Sequence, residues 1–415
     1  GLGSLLLGYY DDGGTLHYAG RVGSGLTERD LAALAARLGA LATPDSPFAD
    51  PPRPRDRVIT WVRPLTVVEV EFAEWIASGA LRQPVFIGVR EDRSPESVRR
   101  DEPAPSGDAA RADRRPPLTN PDKDLFEAGP SGASPVTKAQ LATYYDTVAS
   151  VMLADLAGRP VSVVRCPHGQ AAECFFQKHP DPRSFPETLR IFEVPERDGP
   201  AAYFTVDDAD GLRALVQLGV VEIHAWNSRA DSPETPDRIV FDLDPGPGIE
   251  WADVLDAAHL LRDALAGLGL GAFAKTTGGH GLHVVTPIAP THDHDAARSL
   301  AHALVDRVVE AEPSRFTGRM AKAARAGKIF IDYLRNAHGA TAIAAYSTRA
   351  RPGAPVAVPV SWEELASGLD PLAFDTVSVP LRLALAHGVS PWPGYEDARV
   401  TLGPELFAAV GAPAP

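Results

Sequence analysis

Arg238-Ile239-Val240-Phe241-Asp242-Leu243-Asp244-Pro245-Gly246-Pro247-Gly248 is the stretch from which the rest of the chain can be read. A run rich in β-branched residues, ended by proline and glycine, predicts a buried strand that stops in a sharp turn. Side chains two apart on a strand share a face, so Asp242 and Asp244 project together while Leu243 points the other way. Two carboxylates held side by side repel unless a cation stands between them, and hard oxygen donors suit Mg²⁺ or Mn²⁺. Turn-forming aspartates at a solvated strand end would give the same pattern.

The residues that follow favour the first reading. Trp251 to Ala266 sets Val254, Leu255, Ala258, Leu261 and Leu265 at helical spacing, and Gly267, Gly269 and Gly271 close the helix. Ala272 to Lys275 reads as a short strand, Thr276 to Gly281 as a turn, and Leu282 to Val285 as the returning strand. Glycines in such a turn let backbone N–H groups come close to an anion, as phosphate-holding loops require. His283 alternates with Leu282 and Val284 toward the face that the carboxylates occupy. A third acidic strand, Ile329 to Arg335, surrounds Asp332 with apolar neighbours, an unusual place for a casual surface charge. Three aspartates on strands and a glycine-rich turn, with Lys275, Arg319, Lys322, Arg325, Lys328, Arg335, Arg349 and Arg351 close by, make a nucleotidyl-transfer constellation.

The ordered segments DLDPGPG (242–248), TTGGHGLHV (276–284), IFIDYLRN (329–336) and YSTRARPGAPV (346–356) resemble the polymerase domain of bacterial DNA ligase D, a member of the archaeo-eukaryotic primase superfamily. The resemblance runs from residues 118–123 through 175–179 and 222–229 to about Pro391. It implies an α/β domain of the primase type, an α+β primase-polymerase. It also implies that Asp242, Asp244 and Asp332 hold two divalent cations roughly 4 Å apart, Mn²⁺ in preference to Mg²⁺. One would activate a primer 3′-hydroxyl for in-line attack on the α-phosphate of a nucleoside triphosphate, and the other would steady the leaving pyrophosphate.

The same resemblance implies a nucleotide site made of His224, Thr277, Gly278, Gly279, His280, His283, Arg325, Arg335 and Arg349, with the Arg349 fork on the triphosphate. It assigns a downstream 5′-phosphate to Asn120, Lys123 and Lys138, and the template strand to Phe175 and Phe176. Taken as residues alone, His224 and the two phenylalanines read as core; it is the resemblance that sets the functional reading beside it. At position 280 relatives commonly carry lysine. Lysine keeps its charge where histidine gains or loses one near neutrality, so the help His280 gives a triphosphate is expected to vary with pH. The implied activity is template-dependent addition, preferentially of ribonucleotides, at DNA ends or short gaps during non-homologous end joining, together with the Ku end-binding protein. A metal-dependent nuclease using the same carboxylates and a non-catalytic DNA-end adaptor are the rival readings.

Residues 1–92 read as a small β-rich domain. Strands at Ser4–Tyr10 and Thr15–Val22 flank the turn Asp11–Gly14, a helix runs from Thr27 to Leu41, and further strands fall within Trp61–Phe72 and at Val85–Val89, which together suggest an OB-fold barrel. This part resembles the C-terminal OB domain of ATP-dependent DNA ligases, with Phe86–Arg93 matching its last signature motif except that Arg93 replaces the usual lysine. Such a ligase needs a catalytic domain whose lysine takes the adenylyl group; that domain is an expected partner, and nick sealing is not expected from this chain. Residues 93–117 are charged, rich in Pro, Ala and Asp and without apolar periodicity, which predicts a flexible linker. The polymerase domain then covers 118–415. It opens with a helix from Thr137-Lys138 to Leu156 whose stripe is Leu141, Tyr144, Tyr145, Val148, Val151 and Met152.

The 415 residues, 44% of them hydrophobic, suffice for two or three cores, and no apolar run approaches the ~20 residues of a membrane span. No membrane partner is expected. A formal net charge of −14 opposes phosphate binding, so any DNA-binding face must be a local basic patch, weak and sensitive to salt. Cys166 and Cys174 are too few for a disulfide framework and read as buried free thiols. With no signal-peptide pattern at the N-terminus, the expected compartment is the bacterial cytoplasm, in association with the nucleoid.

Overall fold

The computed structural model describes residues 3–413 except 12, 25, 27, 50, 53–58, 72–73, 76–79, 83, 91–93, 101–117, 130–133, 182–184, 197–198 and 387–388. It divides into two compact units, Gly1–Arg114 and Arg115–Pro415. In the first, β1 (Leu5–Tyr10) and β2 (Leu16–Val22) pair antiparallel, α1 (Glu28–Gly39) follows, and β3 (Val67–Glu71) pairs antiparallel with β4 (Val85–Arg90). Leu5, Leu7, Val22, Leu34 and Phe86 close its core. This is the β-rich unit expected of an OB-type domain. At the near end of the expected linker, Tyr10 N–H donates to the Val98 carbonyl (2.8 Å) and Tyr10 bridges to Arg99. Thr27, Arg93 and residues 101–117 lie outside the described residues.

The second unit is built on two sheets. Its opening helix α2 (Lys138–Leu156) starts where expected, because Thr137 and Gln140 cap it reciprocally. One sheet has the order β6-β5-β7-β13, from β5 (Val161–Arg165), β6 (Phe175–Gln177), β7 (Val220–Ala225, after the helix α3, Ala209–Gln217) and β13 (Ala342–Ile343). The other has the order β11-β12-β8-β10-β9-β14. Its strands are β8 (Arg238–Pro245), β9 (Phe273–Thr276), β10 (Leu282–Pro287), β11 (Phe316–Thr317), β12 (Ile329–Asp332) and β14 (Pro359–Val360). Helices α4 (Trp251–Gly267) and α5 (His294–Ala311) connect its strands.

Alternation along β8 decides what each face meets. Phe241 and Leu243 enter the main core with Val254, Ala258, Leu261 and Leu265 of α4 and Leu300 and Leu304 of α5. Val240, on the opposite face, packs with Val285, Ala342, Trp392 and Tyr395. At about 1.5–3 kcal/mol per buried large aliphatic or aromatic side chain, these two layers fix which way Asp242 points.

The cysteine reading is overturned: Cys166 and Cys174 form a disulfide with Cα atoms 4.4 Å apart. Because β5 and β6 are antiparallel neighbours, the loop joining them returns its second cysteine beside its first.

Charge is buried beneath the sheets. Arg159, 1% exposed, forks onto Asp237 at 2.7 and 2.8 Å, and Arg238 reaches both Asp155 oxygens at 2.8 Å. Lys275 is also buried and donates to the Ile343 carbonyl, joining one sheet to the other. Burial, helped by the nearby Arg238 charge, pushes its ammonium down to about 7 from 10.5. Between those values the unfolded chain holds a proton that the folded chain gives up, so stability rises with pH across that window. Lys275→Met is expected to remove this rise. Chemical denaturation at about pH 7 and about pH 9.5 checks it, and a variant whose stability changes with pH in parallel with the wild type would contradict it.

Candidate active site

Strand register, rather than loop placement, assembles the acidic group. Asp242 on β8 lies opposite Asp332 on β12 and opposite His283 on β10, and directly opposed residues of antiparallel neighbours share a face. His283 Nε2 stands 3.4 Å from Asp242 Oδ1. Asp244, two residues on, projects from the same face. Gly246 ends the strand where only glycine fits, since a Cβ there would lie 1.7 Å from the Arg325 carbonyl oxygen. Its N–H donates to the Lys328 carbonyl at 2.9 Å, and this close approach carries Arg325 Nη1 to 3.7 Å from Asp244 Oδ2.

Arg335 is the internal counter-charge. Its Nε is 3.3 Å from Asp242 Oδ2 and 3.3 Å from Asp332 Oδ2, while the Leu334 N–H donates to Asp332 Oδ1 at 2.8 Å. Burial opposes ionisation of Asp242, but His283 and Arg335 outweigh it and hold that carboxyl low. Burial, then the neighbouring Asp242 charge, pushes Asp244 up to about 7, and burial raises Asp332. Arg335 thus faces Asp242 and Asp332, and Arg325 faces Asp244. Among the described residues, no three His, Cys, Asp or Glu side chains are grouped so as to hold a metal ion as they stand, and Arg335 lies between two of the acids.

A cleft of about 270 Å³ opens over this group, lined by His224, Asp242, Asp244, Thr277, Gly279 and Arg349 among others. Gly278 has φ 66°, and a Cβ there would meet Arg349 Cγ at 2.7 Å, so both the turn and the approach of Arg349 require glycine. Thr277 Oγ1 donates to the Gly281 carbonyl at 3.1 Å and closes the turn. Arg349 is held by Glu222 (Nε to Oε1, 3.0 Å) and by the Thr277 carbonyl (Nη1, 3.1 Å). His224 Nε2 lies 2.7 Å from Glu222 Oε2, and burial lowers its basicity.

His280 lines the cleft at its exposed rim, whereas Lys275, counted among the site's cations, is sealed below it. Arg351, one of the cations expected near the site, also lines the cleft. Arg325 contacts Asp244 but spends its Nε and Nη2 on the Met320 carbonyl.

Phe175 and Phe176 on β6 are 45% and 55% exposed, so the core reading fails for both. The Phe176 ring meets His224 edge-on at 5.8 Å between centroids, and the Arg165 guanidinium lies 5.4 Å from the Phe175 ring centre. An aromatic platform therefore adjoins the cleft. Asn120 (φ 51°), Lys123 and Lys138 gather at the start of α2, where Lys138 N–H donates to the Lys123 carbonyl and Lys138 Nζ to Thr119 (3.1 Å). Burial and the neighbouring Lys123 charge depress the Lys138 ammonium, a strain that an anion would relieve.

Residues 137–392 match the model of the LigD primase-polymerase domain, and residues 1–93 match that of the ATP-dependent DNA ligase C-terminal region. The Multifunctional non-homologous end joining protein LigD of Pseudomonas aeruginosa is 37% identical over 428 residues, which is 99% of this chain and 50% of that protein. The Multifunctional non-homologous end joining DNA repair protein LigD of Mycobacterium tuberculosis is 37% identical over 275 residues, 64% of this chain and 35% of that protein. Among solved structures, the polymerase domain from Mycobacterium tuberculosis ligase D in complex with DNA superposes with a TM-score of 0.60 at 37% identity, covering 65% of this chain and 95% of that one. The chain spans half or less of the length of these full-length relatives. Its fold, its aspartate register and these matches agree: the chain belongs to the LigD primase-polymerase family, with a ligase C-terminal region preceding the polymerase domain.

Proposed function

We propose that this chain is a template-dependent nucleotidyltransferase that extends DNA ends or fills short gaps, preferring ribonucleotides, during double-strand break repair by non-homologous end joining. The observation that carries the reading is the in-register set of Asp242, Asp332 and His283, of which Asp242 and His283 line a cleft walled by Thr277, Gly279, Arg349 and Arg351. Asp242, Asp244 and Asp332 would hold the divalent cations. The donor set is all oxygen, which suits Mn²⁺ or Mg²⁺, and Asp242 Oδ1 is buried without a hydrogen bond. When bound, such ions acidify an attacking hydroxyl and neutralise phosphate charge.

The chain's own part is to prepare and orient. For a cation to be held there, Asp244 would have to be ionised and Arg335 would have to release at least one of its two carboxylates. Arg349 and Arg351 offer forked donors to the triphosphate beside the backbone of the turn. Phe175 and Phe176 present ring faces to template bases, and Asn120, Lys123 and Lys138 receive a 5′-phosphate. The division into a ligase-type domain (1–92), a linker (93–117) and a polymerase domain (118–415) belongs to the same proposal. So do Ku and a ligase catalytic domain as partners, which is supported by relatives named for non-homologous end joining. Residence with the DNA in the cytoplasm follows from that role; no described helix is long and apolar enough to cross a membrane.

Incubation with a primed template, Mn²⁺ and labelled ribonucleotides tests the reading. Extension is expected; shortening without triphosphates would make the chain a nuclease, and DNA binding without either change would make it an adaptor. Phe175→Ala and Phe176→Ala are each expected to weaken primer-template binding by about 1–3 kcal/mol, the value of one stacked base. Fluorescence anisotropy reads this directly, and unchanged affinity in both variants would remove these rings from the template face.

A further inference from the structure

Glu222 lies on β7 two residues before His224, so both side chains project from one face of that strand. Its carboxylate is buried and divided: Oε1 accepts from Arg349 Nε (3.0 Å) and from the Ala350 N–H (2.8 Å), and Oε2 is 2.7 Å from His224 Nε2. From this geometry we infer that Glu222 is a positioning residue, fixing the Arg349 guanidinium and the His224 tautomer for the incoming nucleotide. The inference rests on the nucleotide site proposed above.

Three physical points support it. An ionised carboxylate can only accept hydrogen bonds, so the proton between Glu222 and His224 belongs to Nε2, and Nδ1 is left as the acceptor. Burial works against the charge on Glu222, but His224 and Arg349 outweigh it and hold the carboxyl down at about 2. With Nε on Glu222 and Nη1 on the Thr277 carbonyl, Arg349 becomes a fixed plane whose Nη2 makes no hydrogen bond among the described residues.

Electrostatic competition adds to these. Arg335 already sits on Asp242 and Asp332 in the same cleft. A second guanidinium without its own carboxylate would be drawn to those same acids and away from the place a triphosphate must occupy. Glu222 gives Arg349 a separate partner on the opposite sheet, which keeps the catalytic carboxylates apart from it.

The test joins a spectroscopic reading of the wild type to kinetics of variants. In ¹⁵N-labelled protein, with His224→Gln identifying its signals among the 12 histidines, His224 is expected as the Nε2–H tautomer. Glu222→Gln puts an amide donor there and is expected to move His224 to Nδ1–H. In primer extension the same variant should raise the nucleotide KM about tenfold with kcat changed less than about threefold, and Glu222→Asp should recover part of the loss. In an Arg349→Ala background, Glu222→Gln should add less than about twofold. A wild-type Nδ1–H tautomer, an unchanged KM in Glu222→Gln, or full additivity with Arg349→Ala would overturn the inference, and the first of these needs no variant to fold. Failure of the wild type to extend primers would instead count against the proposed activity, leaving the tautomer result to judge Glu222 separately.

Discussion

Asp242→Asn is expected to lower nucleotide addition by on the order of 10³-fold or more, since several kcal/mol of charge stabilisation are lost and each 1.36 kcal/mol is a factor of ten. Asp242 is the central member of the acidic group, opposed by Asp332 on one side and His283 on the other. The amide keeps its shape but can no longer carry the charge that a cation needs, and Arg335 keeps Asp332 as its partner. Arg335 is 40% exposed, so water takes up the remaining imbalance and the fold should hold. Asp242→Ala, Asp244→Ala and Asp332→Ala are expected to fail in the same assay with DNA binding largely intact. Single-turnover extension, with Mn²⁺ binding followed by electron paramagnetic resonance, separates lost chemistry from lost folding. Substantial Mn²⁺-dependent synthesis by any of these variants would remove that residue from the catalytic group.

What could be read from the chain was local. The alternation of β8 and the helical stripe of α4 are short-range patterns, and both elements formed within a residue or two of their expected bounds. The pairing of Asp242 with Asp332 was not readable, because it joins strands about ninety positions apart whose register is set by packing. Lys275 shares a face with His283 and looked like a site cation, yet the β13 strand covers it and takes its hydrogen bond. Cys166 and Cys174 were weighed by number and compartment, while the deciding fact was that β5 and β6 are neighbours. Gly246 was legible as a turn former, but the carbonyl it must pass belongs to a loop about eighty residues on. Glu222 could have been found, since it stands two residues before His224 on β7 and strand alternation carries one to the other.

Asp237→Ala is expected to destabilise the fold by about 3–5 kcal/mol, the cost of removing one partner from a buried pair. Arg159 is 1% exposed and makes two short bonds to this carboxylate; Arg229 and Arg399 flank it at 3.4 and 3.8 Å. After the substitution Arg159 would keep the Asp155 carbonyl on its Nε (2.7 Å) but only one carboxylate, that of Asp155 at 3.5 Å, both oxygens of which Arg238 already uses. Burial resists the charge on Asp237, but Arg159 outweighs it and holds the carboxyl below its ordinary 3.8. The contribution is therefore complete above that value and is lost as pH falls through the lower folded one. Asp237 immediately precedes β8, so loosening it also loosens the strand that carries Asp242 and Asp244. Replacing both partners, Arg159→Met with Asp237→Leu, removes the stranded charge and is expected to cost less than either single substitution. Urea denaturation of the single and double variants decides the matter: a cost below about 1 kcal/mol for Asp237→Ala would mean that water reaches Arg159 and that the pair is not the anchor of β8.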